Sequence, residues 1–458
     1  MTSDQVLFSP VTRSLAHSSL GFHAAWGALA PLERACLPDV ATGGMVRSLE
    51  SGRSLGEFQV IWTSVAWELE VEAWVRALRE SGIAPIAADR PATDPLVIAG
   101  GPLTLSNPDL AGAVADAVFV GDADQAFPAL RRAVDRARER EDALEGLARI
   151  PGVWVPSRGG KPPSPVRAEP ADPPLRSLVT DEPNEFGGAF LVEVGRGCPR
   201  GCTFCVARGA GTRSRFVPAT RILDAIPREA SRVGLLGAAV SDHPELIEIV
   251  KALNARGAAV TLGSVRADRV TPELVSALAA SGLRTLTVAA DGPSEGMRRA
   301  IRKGVTEDHL RACAEVAAGH GLTRLKIYAM TGLPGEEDHD VEELARLVCS
   351  LAERVSVSLS VSPFVPKRFT PLEGSPFAGI PVLRRRLALL ARAVGGRARL
   401  RVTSPREAER EWRWSHLALE DARSAIRDLL AGEGPGGGRG TRNQSRFKRA
   451  RSSSSKPK

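Results

Sequence analysis

The feature that most restricts this chain is a unit repeated through its second half: an apolar strand, a loop, a helix closed by glycine, and another apolar strand. Helical patterns end at Gly257, Gly282 and Gly321, and each glycine precedes an apolar run. Glycine there permits the left-handed turn that closes a helix before the chain reverses. The runs at 190–194, 233–236, 259–263, 285–289, 325–330 and 355–361 read as six strands. Six consecutive βα units predict a partial (β/α)6 barrel over 186–402, with its active site at the C-terminal ends of the strands.

The first region, 1–150, carries the same alternation in a different form. Residues 58–65 read as a buried strand; Trp67, Val71, Trp74, Val75 and Leu78 then recur at helical spacing, and Gly82 ends the helix. Apolar runs at 95–102 and 117–122 follow, the second leading into a helix that reaches Glu139. Strands alternating with helices predict an α/β, Rossmann-like parallel-sheet domain. Residues 151–185 hold Gly159, Gly160, Pro162, Pro163, Pro165, Pro170, Pro173 and Pro174, which suit a linker and not a helix or central strand. After a helical pattern at 381–393, residues 403–432 read as a C-terminal helical extension, with a helix over 412–431. Residues 433–458 are Gly-, Arg- and Ser-rich and read as a basic disordered tail.

That tail carries the charge. The chain has 458 residues and a net charge of +8, but eight of its 61 basic residues lie in 434–458 with no acidic one, which leaves 53 basic against 53 acidic elsewhere. A neutral body argues against a large nucleic-acid-binding face. Within the tail, Arg446-Phe447-Lys448-Arg449 resembles an RNA-binding arm, since cations neutralise phosphate. The start, Met1-Thr2-Ser3-Asp4, lacks the basic-then-apolar layout of a secretory leader, and no apolar run approaches the roughly 20 residues of a membrane span. A cytoplasmic protein without membrane contact is the expectation.

Three of the six cysteines, Cys198, Cys202 and Cys205, crowd into Cys-x-x-x-Cys-x-x-Cys directly after the first strand of the repeat. Such a distribution suggests a metal or redox site and not a disulfide framework. Thiolates are the ligands of iron–sulfur clusters. Three on one loop can hold three irons of a cubane and leave the fourth open, and Gly195, Gly197 and Gly201 let the backbone wrap closely. A structural zinc site wants a fourth Cys or His, and none lies nearby. A thioredoxin-like Cys202/Cys205 pair leaves Cys198 unexplained. Cys313 and Cys349 fall in helical patterns as packed thiols.

In this position, between a first strand and a helix from about Ala219, the motif resembles that of the radical S-adenosylmethionine superfamily. The resemblance implies a [4Fe–4S] cluster on Cys198, Cys202 and Cys205, with S-adenosylmethionine chelated at the open iron. It further implies reductive cleavage to methionine and a 5′-deoxyadenosyl radical, the cofactors carrying the chemistry, and an electron donor such as flavodoxin or ferredoxin. By the same resemblance Phe204 fills the aromatic slot before the last cysteine, and Gly237 opens the segment that touches the amino group. The acidic residue of that segment is absent from Gly237-Ala238-Ala239, so the contact there is through backbone. Ser264 and Arg266 are implied at ribose and carboxylate, for which guanidinium is suited, and Asp291 at the adenosyl group. Tyr328, the one tyrosine, is expected in the core.

The likeness extends to Gly332-Leu333-Pro334-Gly335-Glu336, Pro363-Phe364-Val365-Pro366-Lys367, Leu49-Glu50-Ser51, and Ala99-Gly100-Gly101-Pro102 with Asn107-Pro108. These resemble the subgroup with an N-terminal cobalamin-binding-like domain, over most of 45–375. Cobalamin is possible but not supported: the lower-ligand pattern Asp-x-His-x-x-Gly is not met around His17 and Gly21, where no Asp stands two before the histidine, and binding without that ligand stays open. A second cluster is not expected, because Cys36 is the one cysteine of the first region. The resulting expectation is a radical enzyme acting on a substrate the sequence does not name. The alternative is an iron–sulfur protein with a structural cluster and an RNA-contacting tail.

Overall fold

The structure, a computed structural model, describes residues 3–38, 44–179, 182–209 and 214–432. Its first sheet has six strands, β1 (Gln5–Thr12), β2 (Glu33–Leu37), β3 (Val60–Ser64), β4 (Leu96–Gly100), β5 (Ala117–Phe119) and β6 (Val153–Trp154). They lie in the order β2-β1-β3-β4-β5-β6, parallel except for β6. The sequence pattern gives no sign of β1 or β2. In β1, Gln5, Ser9 and Pro10 break both apolar alternation and a continuous apolar run, and only the layers packed on both faces bury Val6, Leu7 and Phe8. Its register slips between Ser9 and Thr12, where Pro10 has no N–H for the ladder.

On one face of this sheet the helix Glu70–Glu80 buries Val71, Trp74, Val75 and Leu78 against Phe8, Ile61 and Val97. The same core contains Trp414, Ala422 and Ile426. The C-terminal extension, two helices Pro405–Ser415 and Leu419–Ala431, therefore covers the first sheet, some three hundred residues away along the chain. The Pro/Gly segment is also structured in places: β6 extends the sheet, Val166 bridges to Gly121, and Arg176 bridges to Val192. The expected tail, 433–458, lies outside the described residues.

The second half supplies β7 (Phe190–Arg196), β8 (Arg215–Phe216), β9 (Arg232–Gly237), β10 (Ala259–Leu262), β11 (Thr285–Asp291), β12 (Arg324–Thr331), β13 (Ser356–Pro363) and β14 (Arg399–Val402). Two sheets, β10-β9-β7-β8 and β11-β12-β13-β14, are joined by a parallel bridge from Val265 to Val288. All six expected strands are present and parallel, and β14 adds a seventh on the edge of β13. Its sequence, Arg-Leu-Arg-Val, is too short and too charged to read as a strand without its neighbour. On β11–β13 alternate residues (Leu286 and Val288, Leu325 and Ile327, Val357 and Leu359) pack against the outer helices, so the intervening residues line the lumen. Among the described residues no helix is long and apolar enough to cross a membrane.

Loops at the C-terminal ends of the first sheet meet those of the barrel. Asp124 pairs with Arg196 at the end of β7 at 2.8 Å, Glu68 with Lys367 after β13 at 2.8 Å, and Asp109 with Arg368 at 2.8 Å. Asn107 locks this junction. Fully buried, its Nδ2 donates to the carbonyls of Trp414, Ser415 and Leu417 at 3.1–3.3 Å, and its Oδ1 accepts from Leu110 N–H and Arg368. The same side chain caps the helix Pro108–Val114, with proline at the first helical position. Asn107→Ala leaves several buried groups unpaired and is expected to destabilise the protein by about 3 kcal/mol. Urea denaturation measures this, and a loss well under 1 kcal/mol would contradict the role of Asn107 as the lock.

Candidate metal centre

The cysteine loop leaves β7 through a constriction that only glycine fits. A Cβ on Gly195 would stand 2.9 Å from the Arg215 carbonyl oxygen of β8, and one on Gly237 would stand 2.8 Å from the Gly195 carbonyl oxygen. Gly197 then turns the chain at φ +72°. Cys202 is buried at the base of the loop, and Cys198 and Cys205 are partly exposed above it. Cys205 N–H donates to the Cys202 carbonyl at 3.3 Å, and Thr203 N–H donates to the Ile301 carbonyl at 3.0 Å, which ties the loop to the segment after β11. Among the described residues no three Cys, His, Asp or Glu side chains converge on a single ion. A cubane makes a different demand, because each thiolate binds a different iron and the sulfurs stand apart. Three thiols on one loop suit that demand.

Around the loop runs a collar of ion pairs. Arg200, inside the motif, bonds Asp242 after β9 and reaches Asp268 after β10 at 3.7 Å. Asp242 also accepts from Arg269 at 3.0 Å. Arg266 donates to Asp268 at 2.9 Å and to the Lys303 carbonyl at 2.7 Å. Lys303 Nζ lies 2.6 Å from Asp291, both mostly buried. Asp291 ends β11 at φ +63°, beside a break in the strand register, a conformation uncommon for a residue with a side chain. Burial pushes the Cys202 thiol up, and the positive charges of Lys303 and Arg266 pull against it.

The residues singled out from sequence fall into three places. Arg266 and Asp291 come together beside Cys202, through Lys303. Phe204 packs into an apolar cluster with Met297, Ile301, Leu333 and Phe364. Gly237 and Ser264 stand at the ends of β9 and β10, Ser264 exposed. The expectation of a core tyrosine is overturned. Tyr328 is 39% exposed, because its position on β12 alternates with the buried Ile327 and Ala329 and faces the lumen. Cys313 and Cys36 are buried, and burial pushes both thiols up to about 12. Lys303 gave no sequence signal: in Ile301-Arg302-Lys303-Gly304 nothing separates a buried lysine from a solvated one.

Arg196, also without a sequence signal, sits between Glu193 at 2.6 Å and Asp124 at 2.8 Å. Behind it the C-terminal edge of the first sheet encloses a cavity of about 320 Å³ lined mainly by apolar side chains such as Trp62, Ile98, Phe119 and Phe127. Thr63 Oγ1 and Asp124 Oδ2, at the same cavity, are buried without a hydrogen-bond partner among the described residues. No histidine is among its lining residues. His17 instead stacks on His23 at 5.7 Å, accepts from Arg34 at 3.2 Å, and offers its carbonyl to His23 Nε2 at 3.1 Å.

Comparison with known proteins adds the following. The family described as radical SAM proteins, N-terminal, matches residues 34–156, and the radical SAM superfamily matches residues 192–348. Over 208 residues the chain is 33% identical to an uncharacterized protein of Methanocaldococcus jannaschii, covering 43% of this chain and 45% of that one. Over 208 residues it is 30% identical to a probable dual-specificity RNA methyltransferase RlmN of Thermus thermophilus, covering 40% of this chain and 56% of that one. The chain thus spans about half the length of these curated relatives. Among solved structures, the cobalamin-dependent S-adenosylmethionine radical enzyme OxsB with aqua-cobalamin bound is similar over 85% of this chain and 56% of that one. Its TM-score is 0.52 at 12% identity, a likeness of fold. With one family match over most of the first sheet and another from β7 through β12, and three cysteines on the loop after the first barrel strand, this chain belongs to the radical S-adenosylmethionine superfamily.

Proposed function

We propose that this protein reductively cleaves S-adenosylmethionine at a [4Fe–4S] cluster held by Cys198, Cys202 and Cys205, to begin radical chemistry on a substrate bound in the barrel lumen. The observation that carries the reading is the three-cysteine loop, with its collar of ion pairs, at the C-terminal mouth of a parallel barrel, where active sites of such folds are built. Bound there, the cluster and S-adenosylmethionine supply one-electron cleavage of the sulfonium, with the electron from a donor such as flavodoxin or ferredoxin.

The chain's own residues hold and tune that chemistry. Arg200, fixed by Asp242 and Asp268, keeps the cysteine loop against β9 and β10. Lys303 and Arg266 place positive charge beside Cys202, which favours the more negative, reduced cluster. Gly237, packed against the Gly195 carbonyl, brings the end of β9 close to the cysteine loop, so that its backbone suits the methionine amino group. Arg266 and Lys303 suit its carboxylate, Ser264 the ribose, and Asp291, oriented by Lys303, the adenosyl hydroxyls. Phe204, packed against Ile301 and Phe364, fixes the backbone before Cys205, which suits the adenine of S-adenosylmethionine.

Cobalamin is not part of this reading. The cavity at the first sheet offers no imidazole, and the hydrogen bonds of His17 hold it elsewhere. The alternative of a structural cluster with RNA contact through the tail is supported by the eight basic residues of 434–458 and by the relative named as an RNA methyltransferase. Cleavage of S-adenosylmethionine separates the two readings.

Two outcomes are expected. Replacing Cys198, Cys202 or Cys205 singly by alanine lowers iron content after anaerobic reconstitution and abolishes 5′-deoxyadenosine formation with dithionite; undiminished product from any one variant would contradict its assignment. Lys303→Met retains iron, lowers the midpoint potential of the cluster in a redox titration, and slows cleavage about tenfold, the effect of about 1.4 kcal/mol on a barrier. An unchanged potential would remove Lys303 from the account.

A further inference from the structure

The lumen wall formed by β12–β14 carries a charge pattern that cleavage of S-adenosylmethionine does not use. Parallel register sets its rows. Thr287, Lys326, Ser358 and Arg399 lie side by side, and the next row is Ala289, Tyr328, Ser360 and Arg401. Neighbours in register share a face, and the alternate residues Ile327, Leu359 and Leu400 pack outward against the helices. Lys326, Arg399 and Arg401 therefore point to the same side, the lumen.

A closed barrel fills this space with branched apolar side chains. Here serines and threonines line it, with three cations. No carboxylate pairs with Lys326, Arg399 or Arg401 among the described residues; Lys326 donates to the Tyr328 hydroxyl at 2.6 Å and lies 4.6 Å from the centre of its ring. The cations at the mouth are paired by contrast: Arg196, Arg200, Arg266, Lys303, Lys367 and Arg368 each have a carboxylate partner. Three like charges on one wall repel one another, and an anion placed between them turns that repulsion into attraction. Charged residues on an edge strand such as β14 also discourage sheet-to-sheet pairing. That service does not require both arginines to face inward beside a lysine of an interior strand.

Resting on the reading above that the radical forms at this mouth, we propose that the substrate is a phosphorylated small molecule whose phosphate is held on the lumen wall by Lys326, Arg399 and Arg401. The size follows from the patch. Arg399 and Arg401 are two residues apart, about 6.6 Å along the strand, which spans a phosphate or diphosphate. Guanidinium groups bind such oxyanions in pairs of hydrogen bonds. A polymer would need a basic track, and the chain outside 434–458 has no net charge.

The test uses the full chain after anaerobic reconstitution, with inorganic pyrophosphate as probe and titration calorimetry as the readout. Wild type is expected to bind pyrophosphate. Arg399→Ser with Arg401→Ser, and separately Lys326→Gln, weaken binding at least tenfold. Arg384→Ser with Arg392→Ser, on the exposed face of the helix Ile380–Val394, leaves it unchanged. Equal binding by wild type and the lumen variants, or no binding by wild type at millimolar probe, would overturn the proposal. So would a loss seen with decauridylate and not with pyrophosphate, which would make the occupant a nucleic acid. The cubane absorbance of the same wild-type sample scores the cluster reading separately: its absence would sink that reading whatever pyrophosphate does.

Discussion

The C-terminal end of β7 is held from three directions, and the rest of the site depends on that. Gly195 lies between β8 and β9 with no space for a side chain on it or on Gly237. One residue on, Arg196 is clamped between Glu193 of its own strand and Asp124 of the first sheet. The cysteine loop starts immediately after this clamp, so its direction is fixed by the protein alone. Buried charges so arranged are costly to leave unpaired, and the carboxylates on both sides of Arg196 make the joint specific to one docking of the two sheets.

That docking explains why residues far apart in sequence belong to one unit. The helices Pro405–Ser415 and Leu419–Ala431 contribute Trp414 and Ile426 to the core of the first sheet, and Asn107 bonds the turn between them. Arg368 and Lys367, after β13, reach the same junction. The chain leaves the first sheet at β6, traverses the barrel and returns to cover the sheet from which it came. The loops at the C-terminal strand ends are thereby gathered in one place, around the cysteine loop on one side and the lumen wall of β12–β14 on the other.

Much of this was legible from residues. Glycines after helices located six strands, because left-handed turns leave few other choices, and three cysteines in eight residues marked the loop proposed as the centre. What escaped was decided by neighbours. β1 contains Gln5, Ser9 and Pro10 and is a strand only because other layers bury it; β14 is two arginines around one leucine and is a strand only because β13 offers a ladder. Lys303 and Arg196 are ordinary in sequence and become part of the site through partners on other strands. Tyr328, expected in the core, lies in the lumen because alternation on β12 puts it there, where Ser360 beside it leaves space.

The central claim is that the three cysteines leave one iron of a cubane open to S-adenosylmethionine. Mössbauer spectroscopy of protein reconstituted with iron-57, recorded with and without S-adenosylmethionine, tests it most directly. The account predicts that one iron in four shifts its parameters on addition, toward higher coordination by nitrogen and oxygen, while the other three stay as they were. Four irons unaffected by S-adenosylmethionine, or a spectrum with no cubane, would contradict it.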